Sequence, residues 1–391
     1  MGLRILTLAD FFYPDTVGGS AIYAYRIMCE LASRGHEVTI LTRKGEGLVE
    51  CEEIDGLRVL RYPFPPSSFS YPITVAKTYR MISRVVADFR PNITNVHHAS
   101  SGLAMALALV PEAPWVFFFH GPWHGEAMAK DMFIGNSIPL KYRLRQKIDS
   151  YVLSKSTAVV GLSEYMLSEA ADLYRETTAK RVKIPSGVDT ERFTPLADKA
   201  AVRRQLGLPE DGILLLSVRR LSPRMGLENL VRAMALVERE RVDVHLLIGG
   251  RGEIGESLES LIVELGLKRT RLVGYISDEQ LPAYYQASDL FIMPSVSLEG
   301  FGLTILEAMA SGIPVLGTPV GGISEVLEQV TPDFVLSGVE PEQIAAGIME
   351  KLCDLGDVDL QHQLRDHALN FSWKRIADSV ERLFVELAEE K

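Results

Sequence analysis

The sequence predicts an α/β protein with two Rossmann-like domains in tandem, each built on a doubly wound parallel sheet. The prediction rests on one pattern that occurs twice, at residues 3–41 and again at residues 213–250. In both places an apolar run leads into a turn, a helical pattern and a second apolar run, which is typical of a βαβ unit. A length of 391 residues is enough for two separate cores. A cleft between the two domains is then the expected place for a small ligand.

The first domain is expected to span residues 1–185 and to carry a glycine pair, Gly18 and Gly19, after its first strand. Ligands bind at the carboxyl ends of strands in such sheets, so both glycines are predicted to bind ligand. The turn lacks the complete G-x-G-x-x-G pattern of a dinucleotide site, and a flexible turn without a ligand is the alternative. A helix is predicted from Ser20 to about Arg34. Its expected inward residues are Ile22, Tyr25, Met28, Leu31 and Ala32.

Two further strand-like runs of this domain end in histidines. His97 and His98 follow the run at residues 93–96, and His120 follows the run at residues 115–119. Buried histidines usually have structural hydrogen bonds, and we interpret His97, His98 and His124 in that way.

Composition argues against several functional classes. A net charge of −10 and a pI near 5.4 argue against non-specific nucleic-acid binding. Cys29, Cys51 and Cys353 are too few and too scattered for a disulfide framework or a zinc site, which fits a reducing cytosol. The Asp-x-Asp triplet at residues 357–359 lies far from every glycine-rich strand end, so no metal site is predicted. No signal peptide and no run of membrane-spanning length are recognised, and we expect a cytoplasmic protein.

The segment 141–155 is basic in an otherwise acidic protein. It carries Lys141, Arg143, Arg145, Lys147 and Lys155. A basic amphipathic face can contact acidic lipid headgroups at the inner face of a membrane, or an anionic acceptor. A solvated helix face is the alternative, and the sequence leaves both open.

Turn residues and two prolines predict an interdomain linker at residues 186–198, followed by a second domain at residues 199–372. Arg220 and Arg224 flank the carboxyl end of its first strand. Guanidinium groups suit a diphosphate and can stabilise the negative charge that develops on a leaving nucleotide. Solvated surface arginines are the alternative.

The chemistry is predicted at a glycine-rich turn between the strand at residues 290–293 and the helix that contains Glu307. Gly300 and Gly302 let a ligand approach the backbone, and the first N–H groups of the helix can donate to diphosphate or sugar oxygens. Glu299 and Glu307 bracket the turn. A carboxylate accepts paired hydrogen bonds from vicinal hydroxyls, which suits one glutamate on a hexose and one on a ribose. A solvated glutamate pair beside an ordinary turn is the alternative.

This stretch resembles a known signature. Glu299-x7-Glu307, with Phe301-Gly302 between and Pro314-Val315 and Gly321-Gly322 after, is similar to the pattern of retaining nucleotide-sugar glycosyltransferases of the GT-B fold, glycosyltransferase family 4. The resemblance covers nearly the whole chain. It implies two Rossmann-like domains facing across a deep cleft, and a terminal helix at residues 373–391 that crosses back to the first domain.

The resemblance also implies roles for individual residues. The implied catalytic residues are His120 near the transferred sugar, Arg220 on the diphosphate and Glu299 on the sugar hydroxyls. The implied donor-binding residues are Gly18, Gly19, Arg224, Gly249, Tyr275, Ile276, Phe301, Gly302, Leu303, Thr304 and Glu307. One position departs from the family, which commonly has a lysine where this chain has Met225. Arg224 beside it is expected to supply that cation.

The implied activity is transfer of a hexose from a nucleoside diphosphate sugar, UDP-glucose or a similar UDP-hexose, to a hydroxyl of a saccharide or lipid-linked saccharide, in polysaccharide or glycoconjugate synthesis. No cofactor is expected, because the nucleotide sugar is a substrate. No carboxylate is a firm candidate for a covalent nucleophile, which favours front-face attack. Three alternatives stay open: a nucleotide-sugar epimerase, a GDP-mannose-dependent mannosyltransferase, and a carbohydrate-binding protein without turnover.

Overall fold

A computed structural model describes residues 2–15, 18–63, 71–107, 113–123, 125, 140–173, 178–196 and 198–390. The chain forms two compact units, one of Met1–Ser186 with Trp373–Lys391 and one of Gly187–Ser372. Each contains a sheet of mainly or wholly parallel strands with helices between them, which confirms the predicted α/β class.

The first unit has an eight-stranded sheet in the order β3-β4-β2-β1-β5-β6-β7-β8. Its strands are β1 Arg4–Leu8, β2 Glu37–Lys44, β3 Cys51–Ile54, β4 Leu57–Pro63, β5 Ile93–Val96, β6 Trp115–Phe119, β7 Ala158–Gly161 and β8 Lys180–Lys183. Its helices are α1 Gly19–Ser33, α2 Tyr71–Phe89, α3 Ala99–Leu107, α4 Leu140–Ser154, α5 Glu164–Leu173 and α14 Trp373–Glu389. All pairings are parallel except β3 with β4. The central strands β1, β5 and β6 are almost wholly buried because both of their faces are covered, and the polar side chains of Thr7 and Asn95 within them are hydrogen-bonded.

Helix α14 belongs to the first unit although it follows the second in the chain. Its Glu381 carboxylate accepts from Arg34 Nη1 at 2.6 Å and lies 2.8 Å from His36 Nε2. The ring of Trp373 lies 5.9 Å from that of Tyr23 in α1. Helix α14 is amphipathic, and its buried face is an apolar stripe of seven residues: Trp373, Ile376, Ala377, Val380, Leu383, Phe384 and Leu387.

The second unit has a five-stranded, wholly parallel sheet in the order β11-β10-β9-β12-β13. Its strands are β9 Ile213–Val218, β10 Val244–Gly249, β11 Thr270–Gly274, β12 Leu290–Met293 and β13 Val315–Gly317. Its helices are α6 Lys199–Leu206, α7 Leu227–Glu240, α8 Gly255–Glu264, α9 Leu281–Ala287, α10 Leu303–Ala310, α11 Ile323–Leu327, α12 Pro341–Lys351 and α13 Val358–Leu369. Strand order reverses between β9 and β12, the usual place for a ligand in an open α/β sheet.

The predicted inward face of α1 is partly wrong. Met28 and Leu31 are buried as expected, but Ile22, Tyr25 and Ala32 are only half-buried. Tyr23 is instead almost wholly buried. The reason is tertiary: α1 is covered on that side by α14, which enters from the far end of the chain and which local periodicity cannot reveal.

Candidate active site

In the second unit, Glu299 lies in the loop that follows β12, and a strained residue precedes it. Leu298 has φ +52°, a left-handed conformation that costs energy for a residue with a branched side chain. The carbonyl of Leu298 accepts from Arg224 Nη1 at 2.9 Å, which helps to fix this conformation. Glu299 Oε2 accepts from Ser295 Oγ at 3.1 Å and from Arg219 Nη2. The glutamate is thus held in one orientation.

Glycines hold the backbone of this loop from the other side. Gly321 has φ +59°, and a Cβ there would lie 2.1 Å from the Glu299 carbonyl oxygen. The same oxygen accepts from the Gly322 N–H at 2.9 Å. A side chain at 321 would therefore displace Glu299, so the second glycine pair of the sequence signature serves to place the carboxylate.

The turn into α10 brings the predicted backbone donors to the start of a helix. Gly302 has φ +91°, and the helix begins at Leu303. The N–H groups of Leu303 and Thr304 belong to the first helical turn, where no intrahelical acceptor precedes them. Phe301 is buried against Phe371, with ring centroids 6.1 Å apart, so its side chain anchors the turn rather than facing solvent.

Glu307 lies in α10, where its Oε2 accepts from the hydroxyl of Tyr285 at 2.8 Å. Burial raises the pKa of this carboxyl to about 7, and the Tyr285 hydrogen bond opposes only part of that shift. Glu307 therefore changes charge near neutral pH, unlike an ordinary surface glutamate.

At the end of β9, three arginines lie in different environments. Arg220 is exposed, whereas Arg224 is half-buried and bonded to the Leu298 carbonyl. The third, Arg219, was not predicted. Its side chain is only 6% exposed and forms an ion pair with Glu299. The sequence shows that Arg219 is an arginine next to Arg220. It does not show which of the two side chains points into the protein.

The turn after β10 packs directly on this arginine turn. Gly250 has φ +141°, and a Cβ there would lie 1.8 Å from the Arg219 carbonyl oxygen. A Cβ on Gly249 would meet Ile276 at 2.5 Å. Ile276 is buried, and Tyr275 beside it is 45% exposed. The guanidinium of Arg251 lies over the Tyr275 ring, 4.6 Å from its centroid, so the two positions predicted to lie near the nucleobase offer one partly covered aromatic ring to solvent.

In the first unit, Gly18 and Gly19 lie between β1 and α1. A Cβ on Gly18 would meet no atom within 4 Å, so the described residues leave open space there. Gly19 begins α1, and the Gly18 carbonyl accepts from the N–H of Ile22 at 2.9 Å.

His120 follows β6 and is linked to His97 by a chain of hydrogen bonds. Asn95 Nδ2 donates to Thr7 Oγ1 at 2.9 Å, so Asn95 Oδ1 accepts from His97 Nε2 at 3.0 Å. His97 Nδ1 is then an acceptor, and His120 Nε2 donates to it at 2.9 Å. His120 Nδ1 accepts no hydrogen bond from the part of the chain that the structure describes. It is the ring atom available to a ligand.

Burial keeps these histidines neutral. It lowers the pKa of His120 to about 3 and that of His98 to about 4, and holds the pKa of His97 well below its usual value. His98 Nδ1 accepts from the N–H of Asp10 at 3.2 Å, which fits the structural role expected of it. His124 lies outside the described residues.

A buried carboxylate at the end of β1 was missed by the sequence reasoning. Asp10 is almost wholly buried and accepts from Tyr62 at 2.7 Å, from Ser100 and from Arg43. Burial would raise its pKa, but the charge of Arg43, with the hydrogen bonds from Ser100 and Tyr62, outweighs that effect and lowers it. Asp10 follows the first strand, and that position is the only sequence signal that could have identified it.

The basic segment forms α4 and the residues after it. Leu140 and Leu144 are 82% and 58% exposed on this helix, beside exposed Lys141, Arg143 and Lys147. Among the described helices, none is long and apolar enough to cross a bilayer. Within the same residues, no group of three or more His, Cys, Asp or Glu side chains is arranged to hold a metal ion.

Each of the two units matches a family model of glycosyltransferases. Residues 17–192 match the model of Glycosyltransferase Family 4, and residues 198–370 match that of Glycosyl transferases group 1. D-inositol 3-phosphate glycosyltransferase of Geodermatophilus obscurus is 28% identical, over 99% of this chain and 90% of its own.

Solved structures agree on the fold. Sucrose-phosphate synthase of Thermosynechococcus elongatus superposes with a TM-score of 0.84 at 24% identity, over 99% of this chain and all of its own. The Anabaena protein HepE, solved in complex with UDP-glucose, superposes with a TM-score of 0.77 at 19% identity, over 98% of this chain and all of its own. These likenesses identify the GT-B fold.

Proposed function

We propose that the chain is a group 1 glycosyltransferase that moves a hexose from a nucleoside diphosphate sugar to an acceptor hydroxyl with retention of the anomeric configuration. The observation that carries the proposal is the held carboxylate of Glu299. Its Oε2 is occupied by Ser295 and Arg219, while Oε1 accepts no hydrogen bond from the residues described by the structure. An oriented oxygen of this kind suits the hydroxyls of a sugar.

The rest of the donor is assigned to groups around this loop. Glu307 accepts from the ribose hydroxyls when ionised, and the exposed Arg220 pairs with the diphosphate. The N–H groups that open α10 donate to diphosphate or sugar oxygens. Tyr275 and Ile276, with Gly249 beneath them, receive the base.

In the first unit, His120 Nδ1 accepts a hydrogen bond from a hydroxyl of the transferred hexose. Its lowered pKa keeps that atom unprotonated throughout the physiological range, so the ring acts as an acceptor and not as a cation. His97 holds the ring by accepting from Nε2. Gly18 and Gly19 leave room for the donor diphosphate beside the start of α1.

The reaction proposed is front-face displacement. The bond between the anomeric carbon and the β-phosphate oxygen breaks, and the acceptor oxygen forms its bond to the same face of that carbon. The acceptor proton passes to the departing phosphate oxygen, so the products are the glycoside and the nucleoside diphosphate. Arginine charge and helix N–H groups stabilise the leaving group.

The donor is proposed to be UDP-glucose or a similar UDP-hexose. Support comes from HepE, whose structure was solved with UDP-glucose. The acceptor is proposed to be a saccharide or lipid-linked saccharide. A panel containing UDP-glucose, UDP-galactose and GDP-mannose, screened by thermal shift, should raise the melting temperature most for the true donor.

Turnover of that donor with a saccharide acceptor, followed by NMR of the new glycosidic linkage, tests retention directly. Inversion at the anomeric carbon would contradict the mechanism. Conversion of the donor alone to another nucleotide sugar would establish an epimerase instead. If the protein prefers GDP-mannose, the proposal that its donor is a UDP-hexose is wrong, but the protein is still a glycosyltransferase. EDTA should leave the rate unchanged; loss of activity that magnesium or manganese restores would contradict metal-independent transfer.

We also propose that α4 contacts the surface of an acidic membrane. Two exposed leucines beside lysine and arginine suit the boundary between headgroups and acyl chains. The protein should cosediment with vesicles containing phosphatidylglycerol and not with pure phosphatidylcholine. Replacing Leu140 and Leu144 by serine should abolish cosedimentation, and equal binding to both vesicle types would contradict the proposal.

A further inference from the structure

The guanidinium of Arg219 contacts four side chains of the second unit, and one contact is between Nη1 and the sulfur of Met293 at 2.7 Å. Nη2 donates to Glu299 Oε2 and lies 3.0 Å from the sulfur of Met225. Nη1 donates to Ser295 Oγ at 2.7 Å, and that hydroxyl in turn donates to Glu299. The cation is therefore built into the loop that carries the carboxylate.

Because Arg219 contacts Met225, a cationic side chain at position 225 would lie close to the Arg219 guanidinium. Met225 is buried, and a lysine at this position would carry its ammonium about two bonds beyond the place of the sulfur. That ammonium and the guanidinium of Arg219 would share one partly closed space with the single carboxylate of Glu299. Two like charges so close repel each other strongly when water is largely excluded.

We infer that Arg219, at the end of β9, supplies the positive charge that pairs with the Glu299 carboxylate. We also infer that a cationic side chain at position 219 and one at position 225 exclude each other. Arg219 is a positioning residue, because it acts through Glu299 by occupying Oε2 and leaving Oε1 for the sugar. The inference rests on the proposed function, since it takes Glu299 as the sugar ligand. Arg224 is used differently, because one of its nitrogens holds the Leu298 carbonyl.

The experiment moves the positive charge from position 219 to position 225. Four proteins are compared: the natural chain, Arg219→Gln, Met225→Lys and the double variant. Arg232→Gln, at an exposed position on α7, is the matched control for loss of an arginine. Each protein is measured twice, by thermal melting without ligand and by kcat and KM with UDP-glucose and a saccharide acceptor. The melting measurement does not depend on the proposed function.

Met225→Lys should lower the melting temperature of the natural chain and raise that of Arg219→Gln, a reversal of sign that identifies competing charges. Arg219→Gln should lower kcat roughly ten- to hundred-fold, as loss of a hydrogen bond to a charged group does. The double variant should recover most of that loss, and Arg232→Gln should match the natural chain.

Each contrary outcome decides a separate point. If Met225→Lys changes stability equally in both backgrounds, the charges are independent and the inference is overturned. If the sign reverses but Arg219→Gln keeps full turnover, the ion pair is structural and the positioning role is overturned. If the natural chain transfers no sugar from any nucleotide donor, the proposed function falls and the positioning role falls with it.

Discussion

The side chains at the carboxyl ends of the parallel strands differ in chemical character between the two units. In the first, the strand ends carry histidines that burial keeps neutral and a carboxylate closed in by hydroxyls and one arginine. In the second, the corresponding edge carries arginines and a glutamate with fixed charges, held by glycine turns. Under the proposed function, the first set suits uncharged hydroxyls and the second suits phosphate. The predictions below test this contrast, beginning with the largest effect.

Glu299→Gln should have the largest effect, lowering kcat roughly 10²- to 10³-fold, and should also lower the melting temperature because the buried Arg219 loses its paired charge. The amide keeps the shape of the side chain but loses the charge that Arg219 and the sugar hydroxyls bind. Steady-state kinetics at saturating donor measure the loss. Glu259→Gln, on the exposed face of α8, is the control. Near-normal turnover in a folded Glu299→Gln protein would remove this residue from the site.

The first unit should lose more stability in mild acid than the second, where burial also lowers the pKa of His245 and His367 but each of them is buried less completely. His97, His98 and His120 have pKa values below that of an unfolded histidine, near 6.5, so the unfolded chain binds more protons. Stability is therefore full above about pH 6.5 and falls as the pH drops toward the folded pKa values, by up to about 4 kcal/mol per pH unit for three groups.

Tryptophan fluorescence measures this change selectively, because Trp115, Trp123 and Trp373 all belong to the first unit. The urea midpoint of the fluorescence transition should fall between pH 7 and pH 5. His362→Asn, at an exposed site in the second unit, should leave it unchanged. Equal midpoints at both pH values would show that the histidines accept protons in the folded state.

A smaller effect is expected at Glu307, the group of the second unit with a pKa near neutrality. Only its ionised form accepts both ribose hydroxyls, so UDP-glucose should bind about ten-fold more weakly at pH 6 than at pH 8. The donor itself has no group that titrates in this range. Calorimetry should find this dependence in the natural chain and a flat profile in Glu307→Gln. A slope that persists in the variant would assign the titration elsewhere.

Arg224→Ala should have the smallest effect, roughly five-fold on kcat/KM, because a hydrogen bond of about 1 kcal/mol to the Leu298 carbonyl is lost. Both kinetic constants should be measured at saturating acceptor. A loss comparable with that of Glu299→Gln would instead support the expectation that Arg224 supplies the phosphate cation.

The fold was predictable because each βαβ unit is encoded locally by apolar runs, caps and glycines. The helix predicted from Ser20 to about Arg34 appears at Gly19–Ser33, and the strand predicted at Glu37–Leu41 begins β2. The antiparallel edge strand β3 was not predicted, since its four residues are exposed or half-buried and its two adjacent glutamates resemble a loop. The buried face of α1 was misjudged because it depends on α14.

The site was predictable only as far as its residues lie close together in sequence. Glu299, Gly302 and Glu307 form one stretch, so their pattern is visible in the chain. Arg219 and Asp10 were missed because their partners lie 80 and 90 residues away, at Glu299 and Ser100. Whether an arginine turns inward is decided by those distant partners, and periodicity contains no information about them.

The return of α14 to the first unit has a consequence for synthesis on the ribosome. The second unit is one continuous segment, Gly187–Ser372, and can fold as soon as it has emerged. The first unit begins earlier but waits for its last helix, because Tyr23, Arg34 and Phe118 all contact α14. Until α14 has been synthesised, the apolar side of α1 stays uncovered, so the unit that begins first is completed after the second and is the one that a chaperone would have to protect.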